Sequence, residues 1–109
     1  MLQMTDDFEM TVVQSAGGAA ALIELRGEFD LCAAEVFRDR IDDLLSWGVP
    51  ALHVSCAGLT FVDSAGLQSL LQAARTAAGQ DVGFAVVSMS DRLRELLAIT
   101  ATTDLLPTA

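Results

Sequence analysis

Few residues of this chain have the means to do chemistry, and most lack the partners that chemistry requires. Ser64 is a candidate nucleophile, but a catalytic serine needs a histidine within hydrogen-bond contact. The single histidine, His53, belongs to residues 51–56, where Leu52, Val54 and Cys56 alternate with His53 and Ser55. That alternation predicts a strand with one apolar and one polar face, so His53 leaves on the side away from the helices while Ser64 lies beyond the strand. The surrounding Val62-Asp63-Ser64-Ala65-Gly66 is not the Gly-x-Ser-x-Gly elbow of hydrolases. There is no lysine, which excludes a Schiff base and a phosphate-binding P-loop. His53 and Cys56, three apart on a strand, point to opposite faces, and a closed zinc site needs four converging ligands. His53 therefore reads as a surface histidine, Cys56 as a small core residue, and Trp47 and Phe61 as packing residues. No catalytic residue, metal site or cofactor is expected.

The segment from Thr60 to Gln68 stands apart from this bland inventory. By spacing it is a helix N-terminus, with Asp63 or Ser64 as cap, Gly66 permitting close approach and Leu67 entering the core. Such a start displays a hydroxyl at the mouth of a helix.

The elements that hold this mouth follow from periodicity. Residues 10–14 and 20–26 read as two strands joined through Ser15-Ala16-Gly17-Gly18, a hairpin turn. In the second, Ile23 and Leu25 share one face and Glu24 and Arg26 the other. Asp30 is placed to cap a helix over about 32–46, with Ala33, Phe37, Ile41, Leu44 and Leu45 as its apolar stripe and Gly48-Val49-Pro50 as its end. The strand at 51–56 is followed by a loop, Ala57 to Val62. A second helix runs over about 64–78, buried through Leu67, Leu70, Leu71, Ala74 and Ala78 and stopped by Gly79. Residues 82–87 form an apolar run expected well inside a sheet. Ser90-Asp91 caps a third helix to about Ala98, buried through Leu93, Leu96 and Leu97, and the tail from Ile99 to Ala109 contributes a short extended piece. The fold class is α/β, a mixed, mostly parallel sheet with helices mainly on one face, in the order β-β-α-β-α-β-α.

Length and charge set the remaining bounds. The chain of 109 residues is expected to form one domain over 1–109, 52% hydrophobic and 19% charged. The charge-free stretch from Leu44 to Val62 is broken by Gly48, Pro50 and Gly58 and flanked by Asp42, Asp43 and Asp63, which argues against a spanning helix. Met1 to Met10 is acidic and unlike a signal peptide, so a cytoplasmic location is expected. Fifteen Asp and Glu against six Arg give a net charge of −9, unsuited to nucleic acid or anionic lipid and suited to a basic protein partner. Cys32 and Cys56 are too few for a disulfide scaffold. Both follow ends of strands expected to be adjacent, and redox control through this pair is a separate alternative.

Phe61-Val62-Asp63-Ser64-Ala65-Gly66-Leu67 resembles the signature of STAS-domain anti-sigma factor antagonists, in which Asp-Ser-(Ser, Thr or Ala)-Gly-Leu opens a helix and the serine after the aspartate is the phosphorylation site. Gly27-Glu28-Phe29-Asp30 is similar to that family's Gly-Glu-Leu-Asp element at the same relative place, and the pattern runs through about residues 8–106. Three features depart from it: Ala65 replaces a second hydroxyl, Ala101-Thr102 stand where Gly-Leu is frequent, and the last helix is missing or very short. The resemblance implies a STAS-like single domain that is phosphorylated on Ser64. It further implies partner binding through Glu28, Asp30, Asp63, Ser64, Ala65 and Gly66. The implied partners are an anti-sigma factor with serine kinase activity, which uses ATP and otherwise holds a sigma factor, and a serine phosphatase. The chain itself would need no cofactor and would be a monomer or weak dimer, with no direct contact to nucleic acid or membrane. A STAS subunit of an ABC-type phospholipid transporter shares an Asp-(Ser or Thr)-x-Gly-Leu motif and is the alternative; a serine hydrolase and a sulphate-transporter STAS domain are further ones.

Overall fold

Alternating side chains and capped amphipathic helices assemble into one sheet with a helical layer. The computed structural model describes residues 2–5 and 7–108, with the backbone alone for 2–5 and 16. The strands are β1 (Leu2–Thr5), β2 (Phe8–Gln14), β3 (Ala21–Phe29), β4 (Ala51–Val62) and β5 (Gly83–Met89), in that spatial order. The helices are α1 (Leu31–Ser46), α2 (Ser64–Gly79) and α3 (Asp91–Ile99). β1, β2 and β3 pair antiparallel, whereas β3, β4 and β5 pair parallel. The expected order β-β-α-β-α-β-α is present, preceded by one further strand. β1 has only four residues, too few to show an alternation, and it forms by pairing back on β2 from Thr5↔Phe8 to Leu2↔Thr11.

The core alternates as the sequence requires. Phe8, Met10 and Val12 of β2, Ala21, Ile23, Leu25 and Phe29 of β3, and Leu52, Val54 and Cys56 of β4 are all buried. Against them pack Ala33, Phe37, Ile41, Leu44 and Leu45 of α1 and Leu67, Leu70 and Leu71 of α2, and Ala74 is buried as expected. Phe29 anchors the arrangement, stacked on Phe8 and edge-on to Phe37, with ring centroids 5.5 Å away in both cases. The opposite face carries Arg26, ion-paired to Glu24 at 3.0 Å and Glu9 at 3.5 Å, and a Ser55–Ser88 hydroxyl pair at 2.8 Å. On α2 the inward position near the helix end is Ala77, with Ala78 turned to solvent.

Three further expectations are corrected. Residues 57–62 are strand, not loop, because Arg26 to Phe29 continue to pair with Gly58 to Val62. Two register shifts double up the outward positions, Ala57 with Gly58 and Thr60 with Phe61, which erases the alternation a strand normally shows. β5 is an edge strand, not an interior one. Its apolar run is sheltered partly by the tail: the Val86 N–H donates to the Pro107 carbonyl at 2.8 Å, and Val86 bridges Thr108 in parallel. Trp47 and Phe61 are not core residues, being 61% and 39% exposed. Among the described residues no helix is long and apolar enough to cross a membrane.

Candidate functional site

Two parallel strands ending level with one another create the site. Phe29 of β3 and Val62 of β4 are register partners, so the next residues, Asp30 and Asp63, leave the sheet together. Both are extended (φ −98°, ψ −169° and φ −97°, ψ −177°), the backbone of an N-cap. The Asp30 carboxylate accepts from the Ala33 N–H at 3.0 Å and the Asp63 carboxylate from the Gly66 N–H at 2.8 Å. α1 and α2 thus open as neighbours at one end of the sheet, each behind an acidic cap.

Because Asp63 serves as the cap, Ser64 is left as the first helical residue, exposed and free of that duty. Leu31 holds the same position in α1 and is 57% exposed. Gly66 fixes how closely this mouth sits on the sheet. A Cβ there would run into the Phe29 carbonyl oxygen, and Phe29 is fully buried and clasped by two rings. The Asp63 N–H reaches that same carbonyl at 3.3 Å. Gly27 performs the matching task on β3. Its φ of +90° is a left-handed conformation that side chains disfavour, and a Cβ would collide with the Asp7 carbonyl, to which the Glu28 N–H donates at 2.7 Å.

Asp30, Asp63, Ser64, Ala65 and Gly66 are therefore brought together at the paired helix mouths. Glu28 ends on the same strand tip, but alternation with the buried Phe29 places it on the open face of the sheet. Sequence reasoning missed an apolar element of this end: Leu31 and Phe61 are exposed here. A shallow groove of about 210 Å³ flanks the end of β4, lined by Val62, Arg92, Glu95, Leu96 and Ile99. Its rim carries an Arg92–Glu95 ion pair at 3.6 Å. The signal available in the sequence was an apolar residue directly after an aspartate cap, a position that faces solvent.

The residues set aside for chemistry stay apart. His53 is ten residues before Asp63 along an extended strand, roughly 30 Å at about 3.3 Å per residue, so it makes no pair with Ser64. Cys32 is exposed in the first turn of α1, whereas Cys56 is buried on the core face of β4, and both thiols are free. Burial pushes the Cys56 thiol up to about 12. No group of three or more metal-ligating side chains occurs among the described residues.

Residues 12–107 match the STAS_2 family, described as Mlab, STAS domain. The fold is similar to the crystal structure of an anti-sigma factor antagonist from Mycobacterium paratuberculosis, with a TM-score of 0.80, 22% identity and coverage of 98% of this chain and 89% of that one. It is also similar to the anti-sigma factor antagonist SpoIIAA in its unphosphorylated form, with a TM-score of 0.75, 20% identity and coverage of 92% and 87%. The Bacillus cell fate determinant SpoIIAA in the phosphorylated form gives a TM-score of 0.71, 20% identity and coverage of 92% and 90%. No curated protein matches the sequence. The match takes in all but the two ends of the 109 residues, from β2 through the tail beside β5, and the chain belongs to the STAS-domain family.

Proposed function

We propose that this STAS domain is an anti-sigma factor antagonist, a non-enzymatic binding switch that docks on an anti-sigma factor and is turned off by phosphorylation of Ser64. The observation that carries this reading is the exposed Ser64 hydroxyl at the mouth of α2, relieved of capping by Asp63. Support comes from the fold it shares with proteins named as anti-sigma factor antagonists, one of them determined both with and without phosphate. An excess of fifteen acidic over six basic residues suits a basic docking surface.

In this reading the anti-sigma factor is also a serine kinase. It transfers the terminal phosphoryl group of ATP to the Ser64 oxygen, ADP leaves, and a serine phosphatase later hydrolyses the ester. Phosphate adds about −1.5 to −2 charges at neutral pH. In the free protein this charge is tolerated, because the α2 N-terminus offers N–H groups and a favourable dipole. A docked partner packed over Ser64 cannot tolerate it as easily: an unpaired buried dianion beside Asp63 and Asp30 costs several kcal/mol, and each ~1.4 kcal/mol weakens binding tenfold. Release thus needs no change of fold. The chain works in the cytoplasm as a monomer or weak dimer, without cofactor, nucleic acid or membrane.

Titration calorimetry with the cognate anti-sigma factor tests this. Ser64→Ala is expected to bind as tightly as the unphosphorylated protein and to resist ATP-driven release, and Ser64→Glu to bind at least tenfold more weakly. Equal affinity of all three refutes it. A second reading, an STAS subunit gripping the ATPase of an ABC-type phospholipid transporter, is kept because the matching family is described as Mlab. Stable copurification with an ABC ATPase, and no release by ATP, would favour it.

A further inference from the structure

Arg40 lies on the flank of α1, only 7% exposed. Its Nε has no hydrogen-bond partner, and none of the ion pairs among the described residues includes it. What answers its charge is the indole of Trp47, two turns further along α1, whose ring centre is 5.1 Å from the guanidinium carbon. Trp47 is itself largely open to solvent. Withdrawing the Nε donor of a guanidinium from water without a hydrogen-bonding partner is costly, and a cation–π contact answers only part of that cost. The fold thus keeps an incompletely paired cation under an exposed ring.

We propose that Arg40 and Trp47 form an anchor for a carboxylate side chain, Asp or Glu, presented by a partner protein. The planar guanidinium fork matches a carboxylate in two-point contact, and arginine and tryptophan are the residue types that concentrate binding energy in protein interfaces. A polyanion fits less well. Exposed Asp39, Asp42 and Asp43 share the helix, and the chain carries −9 overall, so nucleic acid or an anionic lipid surface meets repulsion that a single carboxylate flanked by basic residues does not. Trp47 lies at the opposite end of α1 from Asp30, about 25 Å away at 1.5 Å per residue. Trp47 therefore stands at the end of α1 away from the helix mouths.

Trp47 is the single tryptophan and there is no tyrosine, so intrinsic emission reports on this place alone. The full chain is titrated at matched ionic strength with N-acetyl-glutamate amide, N-acetyl-glutamine amide, inorganic phosphate and phosphatidylglycerol vesicles. A saturable change is expected with the glutamate probe, about tenfold weaker with the glutamine probe and lost in Arg40→Met. Arg40→Met is also expected to melt at or above the wild-type temperature, because a methionine fills the place without an unpaired charge. No glutamate-specific response, an equal response in Arg40→Met, or tighter binding of phosphate or vesicles would overturn the assignment. So would a lower melting temperature of Arg40→Met, which would mark the guanidinium as a packing element.

Discussion

Replacing Gly66 by alanine tests the seat of the α2 mouth directly. The added methyl lands on the Phe29 carbonyl oxygen and 3.1 Å from Phe29 Cδ2. Phe29 cannot yield, being fully buried between Phe8 and Phe37, so the first turn of α2 must retreat. Overpacking of this kind costs about 1–3 kcal/mol. Loss of the Asp63-to-Phe29 backbone bond, 3.3 Å long, adds about 0.5–1.5 kcal/mol. Alanine returns about 1 kcal/mol through its better helix propensity. The balance is a loss of about 1–3 kcal/mol, which corresponds to a fall in Tm of roughly 5 to 20 °C for a domain of this size. Gly79 is the internal control: it ends the same helix, and a Cβ there meets nothing within 4 Å. Gly79→Ala is expected to hold or slightly raise the Tm. Thermal unfolding followed by circular dichroism measures both. If Gly66→Ala melts with Gly79→Ala, the close seating of α2 on β3 is wrong.

Other outcomes follow from the same geometry. Asp63→Ala removes the α2 cap and is expected to cost about 1 kcal/mol in urea unfolding, whereas Asp63→Asn, an equally good cap, stays within a few tenths; equal losses would reject the capping role. Phe61→Ser and Leu31→Ser leave the core untouched and are expected to weaken partner binding by about 1–2 kcal/mol without lowering the Tm; unchanged calorimetric affinity would remove them from the interface. Cys32 is expected to react promptly with a thiol reagent in the native protein, and Cys56 only after unfolding; simultaneous labelling of both would contradict the burial of Cys56. With no Lys and no Tyr in the chain, neither of those side chains overlaps the window between 9.0 and about 12 that the shift of Cys56 opens. The folded Cys56 thiol holds its proton to about 12 against an ordinary 9.0, so the folded state binds more protons in that window. Stability should be intact below pH 9 and fall as the pH rises towards 12, by up to about 1.4 kcal/mol per pH unit, and Cys56→Ala should flatten the decline.

The parts of this structure legible in the sequence are those decided within a few residues. Asp30 announces α1, and the stripe from Ala33 to Leu45 fixes the face it buries. The glycines of Gly27-Glu28-Phe29-Asp30 and Asp63-Ser64-Ala65-Gly66-Leu67 stand where strand and helix backbones meet. What the sequence left open depended on geometry or on distant chain. Either Asp63 or Ser64 can cap a helix, and the extended backbone at residue 63 decides for the aspartate. The end of β4 is disguised by register shifts imposed by β3. β5 looks interior because its sequence is apolar, but sheet order is set by which crossover lands where, not by local pattern. The solvent exposure of Trp47 and Phe61 depends on which neighbouring elements reach them, and sequence spacing is silent on that.

The tail seated on β5 gives the last few residues a protective duty. Val86 spends its amide on Pro107, and Thr108 lies alongside. Clipping the chain before Pro107 would bare a run containing Val86 and Val87 at the rim of the sheet, and unpaired rims of that kind recruit strands from other molecules. Proteolytic trimming there is expected to promote self-association through β5 while leaving Ser64 at the α2 mouth in place.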